Sequence, residues 1–370
     1  MRSLYPLITI FAIVALAGGC SSGKSAYKHG DYYQAVLTAV QRLRQSPDHK
    51  KSKEVLTLSY QAAVDYLETD AQNQIASNAN FKYKAAVVNY ERINHLYDEI
   101  RKSPGALKVI PNPVNKYKEL TEFKSKAAEE SYEAGIQALM LNTRQDSKNA
   151  YYLFTDANVL APGYRESIEM MEQAKVNATV NIIVEPALEN RYSWNFEPTV
   201  FGYNNNMFVK FYTPRQAEEM GVKRVDQFLK VSVNSYSEGL PQISRRVENR
   251  TDSVKTGEKT VNGQKIPVYQ KISCSVTIFE KKATSRASIN LWITDAASKA
   301  DIQNNEITSS MTWSDSWAIY SGDLRAVAQG NKKLIEKREP NMGPGYLQGI
   351  TKKDLDDRLA NAISSYYGQF

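Results

Sequence analysis

Apolar residues recur at helical spacing along the first half of the chain and alternate with polar ones along much of the second. From residue 26 to about 176 the periodicity is helical, β-branched runs are few and the breaks are short and polar. Long helices are expected over Val55–Tyr66 and Lys116–Leu141, separated by insertions around 73–80 and 104–113. From Ala178 the pattern changes. Val180–Val184, Phe208–Tyr212 and Phe228–Val233 read as strands, and Pro214–Gly221 as a short helix with Pro at its start and Gly at its end. That succession predicts a small α/β core. Ile266–Phe279, Ala287–Thr294 and Ile307–Trp313 then alternate as an antiparallel meander. Asn262-Gly263 marks a tight turn of a hairpin that brings Arg245–Val254 back along the chain, and Asp295–Ser298 marks the next turn. Gly322 suits a turn, Asp323 a cap for a helix beginning at Leu324, and Leu355, Leu359 and Ile363 a docking helix over Lys352–Tyr366.

The first twenty residues carry a separate message. Arg2 is a short positive segment, Leu7–Leu16 an apolar run too short for a comfortable membrane span, and Ala17-Gly18-Gly19 a small-residue cleavage site directly before Cys20. Leu16-Ala17-Gly18-Gly19-Cys20 resembles the lipobox of bacterial lipoproteins, with Ala17 where Leu is commoner. The resemblance implies cleavage before Cys20 and acylation of its thiol and amine. No Asp follows Cys20 and no acidic run lies beside it, which implies an outer-membrane address facing the periplasm. Ser21–Ser25 reads as a tether. An ordinary secretory signal with an incidental cysteine is the competing reading.

Two helical segments share a pattern. Ala35, Ala39, Leu43 and Pro47 form one; Ala150, Phe154, Ala157 and Pro162 form the other; Ala86, Tyr90 and Ile93 give a partial third. The Ala150 copy resembles the second helix of a tetratricopeptide repeat at all four positions. The other two depart from it, at Ala39 and Arg42, and at Ile93 and Asp98. The resemblance implies stacked helical hairpins whose concave face holds partner segments. A weaker likeness, around Gly221–Val233, is to the periplasmic α/β domain of envelope lipoproteins that activate peptidoglycan synthases or form secretion pores. The Trp313–Ala326 stretch resembles a Trp-rich segment of uncharacterised envelope lipoproteins, and no activity follows from it.

The expected fold class is therefore α+β: an N-terminal tetratricopeptide-like α-helical domain, then a β-rich domain combining an antiparallel meander with a small α/β core. The expected divisions are a signal peptide (1–19), a lipidated tether (20–25), the helical domain (26–176), the β-rich domain (178–330) and a C-terminal segment with the docking helix (331–370).

Composition narrows the function classes. A formal charge of +7, falling to +6 without Arg2, is spread in isolated doublets such as Lys50-Lys51 and Lys281-Lys282, so no nucleic-acid stripe is expected. The three histidines, His29, His49 and His95, stand apart, so no zinc site and no histidine-based nucleophile pair is expected, and no cofactor. Cys274 shares a strand face with Ile272, Val276 and Ile278 and is expected to be buried. The 23 tyrosines suit half-wet packing, or grooves for sugars or peptides. Trp292, Trp313, Trp317 and Tyr320 form the candidate binding surface, with Trp292, Trp317 and Tyr320 as a sugar-stacking platform; core packing is the competing role. The leading expectation is a non-catalytic scaffold with an envelope protein partner and a membrane contact through its lipid. Glycan or peptidoglycan binding is the alternative. A hydrolase using carboxylates among Asp295, Asp315 and Asp323 stands third.

Overall fold

The computed structural model describes residues 22–186 and 190–370. The segment 1–19, expected to be a signal peptide, and Cys20 lie outside the described residues. The chain divides into two compact units, one ending at Ala178 and the other running Thr179–Phe370.

The first unit is helical: α1 (Lys24–Lys28), α2 (Tyr32–Gln45), α3 (Lys50–Ala76), α4 (Lys82–Arg101), α5 (Pro104–Val109), α6 (Tyr117–Met140), α7 (Arg144–Leu160) and α8 (Ser167–Ala178). The ordered body begins earlier than expected. Gly23 is already buried, beside the backbone of Ala35, and α1 starts at Lys24, inside the stretch 20–25 expected as a tether. Consecutive long helices pack on one another: α2 on α3, α3 on α4, α4 on α6, α6 on α7 and α7 on α8. One core gathers Ala35, Leu43, Leu56, Ala63, Leu67, Ala86, Tyr90, Ile93 and Leu96. A second gathers Ala128, Tyr132, Ala150, Phe154, Ala157 and Ala174. Ala150, Phe154 and Ala157 are fully buried. Gly135 of α6 leaves the space the Phe154 ring fills; a Cβ there would lie 2.8 Å from it. The insertion after Pro104 forms α5, and the chain after it is pinned by polar bonds. Val114 N donates to Tyr60 Oη and Lys116 N to Asn94 Oδ1, both at 2.6 Å.

The second unit opens with β1 (Val180–Val184), α9 (Glu197–Phe201), β2 (Val209–Tyr212), α10 (Pro214–Glu219) and β3 (Gln227–Glu238). β1 pairs in parallel with both β2 and β3, which is the small α/β core. Thr213 and Gln216 close a capping box at the start of α10. Then come β4 (Gln242–Val261), β5 (Gln264–Asp295) and β6 (Asp301–Gly322), all antiparallel. β3 pairs with the C-terminal part of β5 and β4 with its N-terminal part, so β4 continues the line of β3. At about 3.3 Å per residue, the 32 residues of β5 span roughly 100 Å. Asn262 and Gly263, both at positive φ (53° and 79°), make the β4–β5 turn.

The alternation predicts a break between Phe279 and Ala287, and a third strand ending near Trp313. Neither is observed. The buried apolar positions of β5 are Ile272, Cys274, Val276 and Ile278 in its first part and Ala283, Ala287, Ile289, Leu291 and Ile293 in its second. The first set is even-numbered and the second odd-numbered. Pairing with β6 runs without a register shift from Cys274 to Ile293. One unbroken strand therefore buries opposite faces at its two ends. The change of phase, and not a turn, is what interrupts the alternation.

Each buried face has its own cover. A 3₁₀ turn (Leu324–Ala326) and α11 (Gln329–Ile335) place Ala326, Val327, Leu334 and Ile335 over the first. α12 (Tyr346–Tyr367) places Leu355, Leu359, Ile363 and Tyr367 over the second, together with Trp194, Phe196 and Val200. The segment 331–370 is thus part of the second unit's core. Gly322 (φ 102°) makes the turn out of β6; a Cβ there would meet the Ser273 carbonyl oxygen at 2.5 Å. Asp323 then accepts from Arg325 N at 2.9 Å, as a cap for the 3₁₀ turn. Among the described residues, no helix is long and apolar enough to cross a membrane.

Candidate functional site

The sheet formed by β4, the first part of β5 and the end of β6 carries a run of exposed residues. Cross-strand partners share a face, so the register assigns each side chain to one of two sides. On the odd side of β5, three successive rows read Val247–Thr277–Ile319, Arg245–Phe279–Trp317 and Ile243–Lys281–Asp315. Ile243, Val247 and Ile319 are 52%, 57% and 58% exposed. Between them Phe279 and Trp317 lie stacked, 5.1 Å between centroids at 14°. This is an apolar patch on three hydrogen-bonded strands, bordered by charge. Lys281 Nζ reaches Glu339 at 2.7 Å and Lys337 Nζ reaches Asp315 at 2.8 Å, fixing the chain after α11 along one border.

The sequence-predicted aromatic residues divide between two faces. Trp313, opposite Ala283, and Trp317, opposite Phe279, lie on the patch side. Trp292 and Tyr320 lie on the other. Along β5, Trp292 and the partner of Tyr320, Val276, are roughly 50 Å apart. The expected platform of Trp292, Trp317 and Tyr320 therefore does not exist as one surface. Trp317 is 9% exposed and packs on Phe279; Tyr320 is 42% exposed beside Val276. Trp292 lines a separate shallow depression of about 280 Å³ with Glu185, Phe228, Lys230, Thr294 and Asp301. The fourth tryptophan, Trp194, is core, among Tyr192, Phe196 and Tyr236.

The three candidate carboxylates are also dispersed. Asp295 ends β5, Asp315 lies opposite Lys281, and Asp323 N bonds to the Ser273 carbonyl. Those levels are roughly 45 Å and 25 Å apart along the strand, against the ~10 Å or less that paired catalytic carboxylates need. Each is engaged locally. Asp295 accepts from Ser298 N at 2.7 Å, Ser298 Oγ at 2.8 Å and Ala297 N at 3.1 Å, which lowers its pKa. The Lys337 ammonium lowers that of Asp315, and the Arg325 guanidinium beside Asp323 holds its carboxyl at about 2. A general acid needs the opposite shift. These three residues are too far apart to pair with one another as acid and base.

His29 Nδ1 pairs with the Ser25 carbonyl and His95 Nδ1 with Tyr33 Oη, each at 2.7 Å, while His49 caps α3 through Ser52. Among the described residues, no group of three His, Cys, Asp or Glu side chains is placed to hold a metal ion. Cys274 is 5% exposed within the first buried face of β5.

Val247, Ile319, Ile243 and Phe279 were not singled out from the sequence. All four are odd-numbered, but they lie on three strands, Ile243 and Val247 on β4, Phe279 on β5 and Ile319 on β6, and only the register brings them together. No protein-family model matches this chain, and no curated protein matches it.

Proposed function

We propose that the chain is a non-catalytic lipoprotein of the bacterial cell envelope, held on the outer membrane through Cys20 and facing the periplasm, that acts as a scaffold for a protein partner. The observation that carries this reading is the patch of Ile243, Val247 and Ile319 around the Phe279–Trp317 stack. Surface apolar groups gathered on a rigid sheet and rimmed by charge suit protein docking. The lipid anchor is supported by the segment Leu16–Cys20. In this reading the helical unit stacks in the tetratricopeptide manner and offers a second gripping surface. Support for that comes from the small residues Ala150, Ala157 and Gly135 arranged about Phe154.

The test is recovery of crosslinked membranes from the native host. Wild-type chain is expected to bring down one recurrent protein, and Val247→Asp with Ile319→Asp to lose it while the chain stays folded and membrane-bound. Equal recovery by both chains overturns the reading. A glycan reading keeps one foothold, the Trp292 depression with its flanking Glu185, Lys230 and Asp301. Trp292→Ala and sedimentation with peptidoglycan test it; pelleting that is absent, or unchanged in the variant, ends it.

A further inference from the structure

β6 ends at Gly322, opposite Cys274, but β4 and β5 run on together to the Asn262–Gly263 turn. About 35 Å of two-stranded ribbon therefore projects past the last flanking strand. A lone hairpin is marginal in water unless one face is covered.

The register sorts this ribbon into two unlike faces. One carries Val254 with Gln270, Gly257 with Val268, Lys259 with Ile266, and Val261 with Gln264. The other carries Ser253 with Lys271, Lys255 with Tyr269, Glu258 with Pro267, and Thr260 with Lys265. The first face continues the apolar stripe of Ile272, Cys274, Val276 and Ile278, against which Val254 packs. The stripe outruns its cover: Val268, Ile266 and Val261 are 43%, 48% and 42% exposed. From Thr251 to Ser273 the ribbon carries Lys255, Lys259, Lys265 and Lys271 against Asp252 and Glu258, a net +2.

We infer that the tip of this ribbon is a lipid-binding element that lays Val261, Ile266 and Val268 on an anionic bilayer surface. Three half-exposed side chains fall well short of the ~800 Å² per partner that a stable protein interface covers. They suffice for a shallow interfacial contact that adds apolar burial to charge attraction. Lys259 stands across from Ile266 on the apolar face itself, and the other lysines have stems long enough to carry their ammonium groups to the headgroup layer. The contact is separate from the acyl anchor and from the Val247–Ile319 patch, which belongs to the opposite face of the sheet.

The test uses the full chain with Cys20→Ser, so that no acyl group contributes, labelled with an environment-sensitive fluorophore at Gln264→Cys. Cys274 is buried and stays unlabelled. A second sample carries the label at Asn304→Cys, opposite Trp292 and far from the tip. Vesicles of phosphatidylethanolamine and phosphatidylglycerol are expected to blue-shift the label at 264 and not at 304, and phosphatidylcholine vesicles to do neither. Each lysine neutralised, in Lys259→Gln and Lys265→Gln, is expected to weaken binding about five-fold. Ile266→Ser with Val268→Ser is expected to abolish it with the circular dichroism spectrum unchanged; if that pair perturbs folding, the lysine variants decide. No shift at 264, an equal shift at 304, or insensitivity to the lysine variants overturns the inference. So does a shift that grows with protein concentration without vesicles, which assigns the stripe to a second copy of the chain.

Discussion

The switch of buried face along β5 can be tested one residue at a time. Ile278 (5% exposed) and Ile289 (0%) lie on opposite faces of one strand, the first under Leu334 and Ile335 and the second under α12. Replacing either with Ala removes three methyl or methylene groups, about 2.4 kcal/mol of transfer free energy at ~0.8 kcal/mol each. The cavity left behind raises this to about 3 kcal/mol. With a urea dependence of ~2 kcal/mol per molar, each variant should lower the unfolding midpoint by about 1.5 M. Thr277→Ala and Asn290→Ala, one step from each on the opposite face, should stay within ~0.3 M of wild type. All four tryptophans lie in the second unit, so their fluorescence reports its unfolding alone. If Ile278→Ala matched Thr277→Ala while Ile289→Ala fell by the full amount, the first part of β5 would bury no apolar face, and the single-strand account would be wrong.

Other outcomes follow from the same geometry. Gly135→Ala should displace the Phe154 ring and destabilise the helical unit by about 1–3 kcal/mol, seen as a lowered helix melting transition in far-ultraviolet circular dichroism. Gly322→Ala should destabilise the second unit, since φ 102° and the 2.5 Å approach to Ser273 oppose any side chain; an unchanged tryptophan midpoint would contradict the turn described. Asp323 has its pKa lowered from 3.8 to about 2, so its stabilising effect is complete above pH 3.8 and is lost as pH falls toward 2. The difference in urea midpoint between wild type and Asp323→Asn should shrink over that interval and vanish below it.

Much of the fold was legible because local chemistry set it. Pro214 with Gly221, Asn262-Gly263, Asp295–Ser298 and Gly322-Asp323 each determine a turn or cap within a few residues. Leu355, Leu359 and Ile363 marked a docking face by spacing alone. The long continuous β5 was not legible. Its alternation changes phase between Ile278 and Ala283, where Glu280, Lys281 and Lys282 look like a polar turn. In the folded chain Lys281 is instead tied to Glu339, a contact spanning 58 residues. The aromatic platform failed for a related reason. Trp292, Trp317 and Tyr320 are close in sequence, yet parity places Trp317 on one face, and strand length separates the other two. The Val247–Ile319 patch depends on the register of three strands, which no local pattern contains.

The central claim, a tethered scaffold with its docking patch on the sheet, is tested most directly by a photo-crosslinking residue placed in the living host at Val247, at Ile319 and, as reference, at Asn304. One discrete adduct of the same mass at the two patch positions and none at 304 is the expected result. Absence of any adduct at Val247 and Ile319, or the same smear at all three sites, would contradict it.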